Sequence, residues 1–347
     1  MPMMVIDPIT NTGLWKALAP DGISPSTALA MALDTTSTPP GPPASLNVSA
    51  AKVSGDINAL NNTLRRDLGP IDLTPFSELR FWLNGDRPAD GTAQRRFYLE
   101  MRLASAAVPL NDPGNTWQRY LPVSQAGRWE AIRLTLADLP AALGSAVTTI
   151  QLRCANADSP FNCRLDALIA VREAMIGDVD TALKAELDGI LSIGGTAIPA
   201  VLHPANGPLA TNPPYIQILQ YDAAYSRDRT DSAPTRGDFT DQGYALNPPG
   251  SAFELYYQIT AVADDRAAQV AMLEFVLKAL PLRGQLRVNG YPLPFESICV
   301  PPINRLGGFR DDRIPLFYKV STRLQGGPGT RVTPTKIIAV NTDFKSP

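Results

Sequence analysis

The residues able to do chemistry are few, and their spacing fits no familiar reaction. The single histidine, His203, stands directly before Pro204 and has no second imidazole to complete a usual zinc set. The three cysteines, Cys154, Cys163 and Cys299, form no Cys-x-x-Cys pair. Buried thiols in a reducing compartment are the plain reading, while Cys154 and Cys163 fall on consecutive predicted strands, which leaves their pairing open. Asp228, Asp231, Asp238 and Asp241 crowd one stretch but do not follow the ligand ladder of an EF-hand. Gly194-Gly195-Thr196 and Gly326-Gly327-Pro328-Gly329 lack the lysine and spacing of a phosphate loop and read as turns. There is no Gly-x-Ser-x-Gly nucleophile turn and no His-Glu-x-x-His pair. Carboxylates that pair only in space leave no mark on a sequence, and no segment proposes such a pair. The expectation is a protein with no catalytic residue, no metal and no cofactor, and therefore not an enzyme.

Recognition chemistry is the remaining option. Trp15, Trp117 and Trp129 are candidates for stacking on sugar faces. Trp117 is the one to test, because it follows the loop-like run Asp112-Pro113-Gly114-Asn115-Thr116. Trp82 and Trp129 read as core, since both sit in alternating strands. A second set is suited to protein contact. Residues 222–250 form a long loop in which Arg227, Asp228 and Arg229 accompany Phe239 and Tyr244, and residues 307–313 repeat the theme with Arg310 and Arg313. Mixed charge with aromatic rings suits a surface that orders on assembly, and the plainer alternative is a solvated loop.

Several elements must position these groups. The chain has 347 residues, enough for two cores, and a formal net charge of −2, which argues against a nucleic-acid binder working through a broad basic surface. No apolar run approaches the ~20 residues of a membrane span. The N-terminus lacks the basic and apolar regions of a secretory signal, so the protein is expected to stay in the cytosol where it is made. Up to about residue 172, short segments alternate with period two. Phe97, Leu99, Met101 and Leu103 face one way with Tyr98, Glu100 and Arg102 opposite, and Ile132, Leu134 and Leu136 repeat the pattern. Residues 148–154 and 165–171 follow suit, giving an all-β sandwich. Beyond 173 the pattern changes. Residues 176–191 place Ile176, Val179, Leu183, Leu187, Ile190 and Leu191 on one helical face, ended by Gly194-Gly195. Strands follow at 198–202, 215–221 and 253–261. Asp264 or Asp265 then caps a helix to Leu280 whose stripe is Val270, Leu273, Leu277 and Leu280, and strands at 285–288, 295–300, 316–324 and 335–340 complete the unit. The fold class is therefore multidomain: an all-β unit over 1–172 and, over 173–347, an α+β unit with two helices on a mainly antiparallel sheet.

Two resemblances extend this reading. Asp72-Leu73-Thr74-Pro75-Phe76, Leu79-Arg80-Phe81-Trp82, Trp129-Glu130-Ala131-Ile132-Arg133-Leu134, Ile150-Gln151-Leu152 and Leu165-Asp166-Ala167-Leu168 together resemble jelly-roll carbohydrate-binding modules. That resemblance implies a jelly-roll sandwich and, as a possible ligand, a glycan. In the second half, Met175-Ile176-Gly177-Asp178-Val179-Asp180, Ala197-Ile198-Pro199-Ala200-Val201, Phe253-Glu254-Leu255-Tyr256-Tyr257, Leu277-Lys278-Ala279-Leu280-Pro281 and Ile314-Pro315-Leu316-Phe317-Tyr318-Lys319-Val320 resemble the tail-terminator (cap) proteins of contractile phage tails and related injection systems. What this implies is a structural virion protein. It would assemble in the host cytoplasm as a ring of identical subunits, a hexamer, at the head-proximal end of the tail. Its partners would be the tail tube, the sheath and the neck connector, with no membrane and no nucleic-acid sequence recognition. The alternative is a peripheral tail or baseplate protein that binds host polysaccharide through the jelly roll.

Overall fold

The computed structural model describes residues 3–36, 50–112, 115, 117–172, 175–204, 212–226, 235–289, 291–298, 315–324 and 329–332. The all-β half contains β1 (Met3–Asp7), β2 (Trp15–Leu18), β3 (Leu29–Asp34), β4 (Ala50–Gly55), β5 (Thr63–Ile71), β6 (Glu78–Gly85), β7 (Leu99–Ser105), β8 (Gln118–Tyr120), β9 (Trp129–Thr135), a helical turn α1 (Ala141–Gly144), β10 (Val147–Cys154) and β11 (Phe161–Val171). One sheet runs β3-β4-β11-β6-β9, with β1 also on β11, and the other runs β2-β5-β10-β7-β8. The period-two pattern explains the sandwich. Leu79, Phe81 and Leu83 of one sheet and Leu64, Leu99, Met101, Leu103, Ile150 and Leu152 of the other bury their side chains in one cluster between the sheets. Cys154 and Cys163 come from opposite sheets and are both buried, unpaired thiols. Burial pushes the Cys154 thiol up to about 11 and raises that of Cys163 as well, so both stay protonated and inert.

The structure changes three details of the alternation. Tyr98, expected opposite Phe97 on the polar face, is 2 % exposed and packs on Phe161. Phe97 instead stacks on Tyr120 of the polar face. The chain just before β7 is thus out of phase with the strand. Trp82 and Trp129 are only half-buried, because Phe81 and Leu83 take the inward positions of β6 and leave Trp82 between them on the other face.

The second half contains α2 (Met175–Leu187), β12 (Ser192–Ile193), β13 (Thr196–Ala197), β14 (Ala200–Leu202), β15 (Tyr215–Tyr225), β16 (Thr235–Thr240), β17 (Gly243–Asn247), β18 (Ser251–Val262), α3 (Arg266–Ala279), β19 (Arg283–Val288), β20 (Tyr291–Ser297), β21 (Pro315–Leu324) and β22 (Thr330–Val332). Six strands form a sheet in the order β14-β15-β18-β21-β20-β19, antiparallel except for the β14–β15 pair. Val179, Leu183 and Leu187 of α2 and Met272 and Val276 of α3 pack on Leu255, Tyr257, Ile259 and Ala261 of β18. This second cluster shares no residue with the first.

Asp265 caps α3, accepting the Ala268 N–H at 2.8 Å. Helix α2 ends earlier than the pattern suggested. Gly189, at φ +70°, breaks it, and Gly194 and Gly195 turn the short β12–β13 hairpin instead. The face of α3 also differs from expectation. Ala268, Gln269, Met272 and Val276 are buried, whereas Val270 and Leu277 are exposed. Apolar residues surround this helix, so periodicity alone did not select the inward face. The strand expected at 335–340 and Cys299 lie outside the described residues.

Candidate functional site

Residues 222–250 do not form the long loop expected of them. β15 continues to Tyr225, and β16 and β17 pair as a hairpin that takes β22 as a third strand. The hairpin needs one distortion. The register slips between Gly237 and Thr240, and Asp238 sits there with φ +46°, a left-handed backbone that Asp tolerates better than most residues. The bulge turns the Asp238 side chain toward β8 and β9 of the all-β half.

The contact is built from charges on an aromatic ladder. Asp238 Oδ1 accepts the Thr135 N–H at 2.8 Å and lies 3.4 Å from Nε of Arg119, an ion-pair distance beyond a good hydrogen bond. Arg119, 1 % exposed, also pairs with Asp138. Arg331 of β22 closes the group, with Nη2 3.1 Å from Asp138 Oδ2 and Nη1 donating to the Asp238 carbonyl at 3.1 Å. Two guanidiniums thus hold two carboxylates across the junction. At the hairpin tip, Asp241 accepts from the Tyr120 hydroxyl and from the Gln118 side-chain amide. Beneath these charges, Phe97 stacks on Tyr120 with centroids 5.1 Å apart, Phe239 tilts onto Phe97 at 5.0 Å, and Tyr244 follows at 5.9 Å with the Arg236 guanidinium 5.0 Å from its ring.

Burial raises the Asp238 carboxyl, and the Thr135 N–H and Arg119 only partly offset it. Burial, reinforced by the hydrogen bond to Asp241, raises the Tyr120 phenol well above its ordinary value. Tyr120 therefore keeps its proton and donates at any physiological pH. The arrangement fixes one part of the chain against another and presents no nucleophile beside a base. Among the described residues, no group of three or more His, Cys, Asp or Glu side chains could hold a metal ion, and no helix is long and apolar enough to cross a membrane.

Of the residues singled out from sequence, Phe239 and Tyr244 are brought together here, against the chain's own all-β half. Arg227, Asp228, Arg229, Arg310 and Arg313 lie outside the described residues. Trp117 is a correction. It is 1 % exposed, inside the sandwich core, with the Arg119 guanidinium 5.0 Å from its ring, so no face is open to a sugar. The proline, glycine and polar residues before it suggested a loop, but its indole enters the core just ahead of β8. Trp15 is buried too, its indole N–H donating to Asp7 at 3.1 Å. Sequence reasoning missed Gln118, Arg119, Tyr120 and Asp138. A three-residue strand is too short to show a period, and nothing local marks Arg119 as buried.

No protein-family model matches the chain, and no curated protein matches it. Solved structures resemble it over about half of its length. The sheath/tube terminator of an extracellular contractile injection system, in its extended state, is 24% identical over 50% of this chain and 65% of its own, with a TM-score of 0.37. A family 11 carbohydrate-binding module of a Clostridium thermocellum cellulosomal cellulase is 12% identical over 49% of this chain and 95% of its own, with a TM-score of 0.34. A family 30 module from another Clostridium thermocellum cellulosomal cellulase is 13% identical over 50% and 99%, with a TM-score of 0.35.

Proposed function

We propose that this chain is a structural component of a contractile tail or injection system, a terminator whose copies close into a ring at the head-proximal end of the tube and sheath. Residues 173–347 carry the ring contacts, and the 1–172 jelly roll is a wall fixed to them. Its partners are copies of itself, as a hexamer, the tube and sheath subunits and the neck connector. Its work is assembly and not catalysis.

The observation that supports this best is the open sheet of the α+β half. A closed ring requires two different, complementary surfaces on each subunit. β14 and β19 end the sheet on opposite sides, and among the described residues no strand pairs beyond either. The Ala200 N–H on the outer side of β14 is taken by Asp188 at 2.9 Å, and the other outward backbone groups of the two edge strands are where a neighbour would add. The residues at 175–180, 197–201, 253–257 and 277–281 that carry the terminator resemblance fall on α2, β13 with β14, β18 and α3, the elements that build and cover this sheet. The alternative, a peripheral tail or baseplate protein that binds host polysaccharide through the jelly roll, has no stacking surface at Trp117, which is buried.

The test is electron microscopy of the purified chain together with particles assembled without it. Rings from the pure protein, and tails of uncontrolled length in its absence, are expected. A monomer at high concentration, combined with tails of normal length in the deletion, overturns the reading.

A further inference from the structure

Strand β11 changes partners halfway along, and a buried carboxyl sits at the change. Over residues 161–165 it pairs with β4, and over residues 168–171 it pairs on the same side with the N-terminal strand β1. Asp166 and Ala167 lie between the two ladders, and the register with β6 slips there as well, between Asp166 and Ile169. The backbone is strained on both sides of the docked strand. Ala167, beneath it, takes φ +44°, and Ile9, just past its end, takes φ +55°. Neither residue type favours the left-handed region, the β-branched Ile least of all.

Asp166 is 0 % exposed, and neither of its carboxyl oxygens has a hydrogen-bond partner among the described residues. Phe161, Cys163 and Leu165 point into the sandwich core, so period two turns Asp166 to the other face of the sheet. The cations on that face are committed elsewhere or out of register. Arg164 of β11 is held by Asp34 of β3, Arg80 of β6 by Glu78, and Lys52 of β4 stands opposite Arg164. Directly across from Asp166 on β6 is Trp82. β1 sends Met3 and Val5 to this face and no charge, because its Asp7 turns to the core side, where it accepts from the Trp15 indole and the Arg66 guanidinium. A negative charge on Asp166 is therefore uncompensated among the described residues.

The strand that docks beside it is lightly held. Met3 packs on Ala167, Ile169 and Val171, a small cluster separate from the main core, and Val5 is 39 % exposed. Met4 and Ile6 reach the main core but are only partly buried. Asp7, by contrast, is anchored, which makes residues 7–9 the hinge about which β1 moves.

We infer that β1 is a strand gated by the ionisation of Asp166, closed on β11 while the carboxyl carries its proton and loosened when the proton leaves. A protonated carboxyl asks little of an apolar site, whereas a carboxylate without a donor must reach water. The break between the β4 and β1 ladders is the place where water enters at least cost. Burial pushes the carboxyl up to about 7, so the change falls around neutrality. The closed form binds the proton more tightly than the open one. Closure is therefore fully favoured below the ordinary 3.8, and that advantage is lost as pH rises through 7. With the ordinary value restored on opening, the open fraction rises about ten-fold per pH unit between roughly 4 and 7 and levels off near 8. The gate lies within the sandwich and does not depend on the terminator reading.

The test is hydrogen exchange of the full chain, read by mass spectrometry from pH 5 to 9 and corrected for the intrinsic rate. Peptides over residues 3–7 and 168–171 should lose protection as pH rises, by about ten-fold per unit below pH 7, while peptides over β7 and β18 follow intrinsic chemistry alone. Asp166→Asn keeps the shape of the side chain and removes its ionisation, so it should flatten the response and leave β1 protected at pH 9. Carbon-13 NMR of the wild-type chain labelled at aspartate is the second measurement, and it stands even where the variant fails to fold. One carboxyl should titrate near neutrality, in step with the loss of β1 protection. Four results each overturn the inference: β1 exchange with no pH dependence beyond the intrinsic rate, an unchanged slope in Asp166→Asn, an equal slope in β7, which means that the whole sandwich opens, or no carboxyl titrating near neutrality.

Discussion

Replacing Asp238 separates the two ways its carboxylate can hold the hairpin to the sandwich. Asp238→Asn keeps an oxygen to accept the Thr135 N–H and keeps a residue type that tolerates φ +46°, so it removes only the charge. Burial already lifts this carboxyl above its ordinary value, so desolvation outweighs the attraction of Arg119, and Arg119 retains Asp138. The expected cost of Asn is within about 1 kcal/mol of zero, of either sign. Asp238→Ala strands the Thr135 N–H, at about 1–3 kcal/mol, and adds about 1 kcal/mol of left-handed strain. It should lose about 2–4 kcal/mol in total.

The pH dependence follows from the same shift. A carboxyl whose folded pKa is raised binds its proton more tightly when docked than when free. Wild-type docking therefore gains on acidification between the raised value and the ordinary 3.8, fully so below 3.8, and this gain is lost as pH rises through the folded value. The Asn variant lacks that increment, so wild type should improve relative to it as pH falls. Two cores make a single unfolding curve ambiguous. Hydrogen exchange at the Thr135 amide, combined with urea unfolding, reads the junction itself. If Asn proves as damaging as Ala, the charge pair with Arg119 holds the junction, and the argument from burial is wrong.

Four further substitutions probe the rest of the molecule. Asp166 is fully buried, and burial pushes its carboxyl up to about 7, with the neighbouring Ala167 N–H relieving it without forming a good hydrogen bond. Asp166→Asn should therefore be the more stable protein at pH 8, by about 1–4 kcal/mol, with the advantage vanishing below pH 3.8; urea midpoints across that range decide it. A Cβ on Gly85 would come within 2.1 Å of the Tyr98 hydroxyl and 2.8 Å of Val123, so Gly85→Ala should cost about 1–3 kcal/mol by thermal melting, and a neutral result would mean that the sandwich relaxes there. On α3, Met272→Ala should cost about 2–5 kcal/mol, whereas Leu277→Ser, at a side chain 52 % exposed, should stay within about 0.5 kcal/mol. The reverse order would restore the helix face expected from periodicity.

The contrast between α3 and β18 shows what a local pattern can carry. In β18, Leu255, Tyr257, Ile259 and Ala261 alternate with polar residues, one face is plainly apolar, and those four side chains are buried. In α3, Val270 and Leu277 are as apolar as Met272 and Val276. The choice between the two stripes is made by which one fits the sheet, and that information lies in β18 and not in the helix. The cysteines make the same point. Residues 148–154 and 165–171 both read as strands, yet nothing in them says that they belong to opposite sheets.

The junction is harder still to read, because its chemistry is polar. Period two marks strands that bury one apolar face, but β16 carries Arg236, Asp238 and Thr240, and β8, which faces it across the junction, is only Gln118–Tyr120. What holds them is hydrogen bonding between residues more than 100 positions apart, Thr135 N–H to Asp238 and Tyr120 hydroxyl to Asp241, closed over Phe97 and Phe239. Phe239 stands out in the sequence as an aromatic among charges, suited to contact with another protein, and the structure shows it against Phe97 of its own chain. The identity of its partner was not encoded nearby. The same limit applies to Arg65, Arg102 and Arg153, outward residues of three separate strands until the sheet aligns them. Local sequence thus announces where a polar side chain faces outward, and only strand order decides whether it meets water, a partner strand or a ligand.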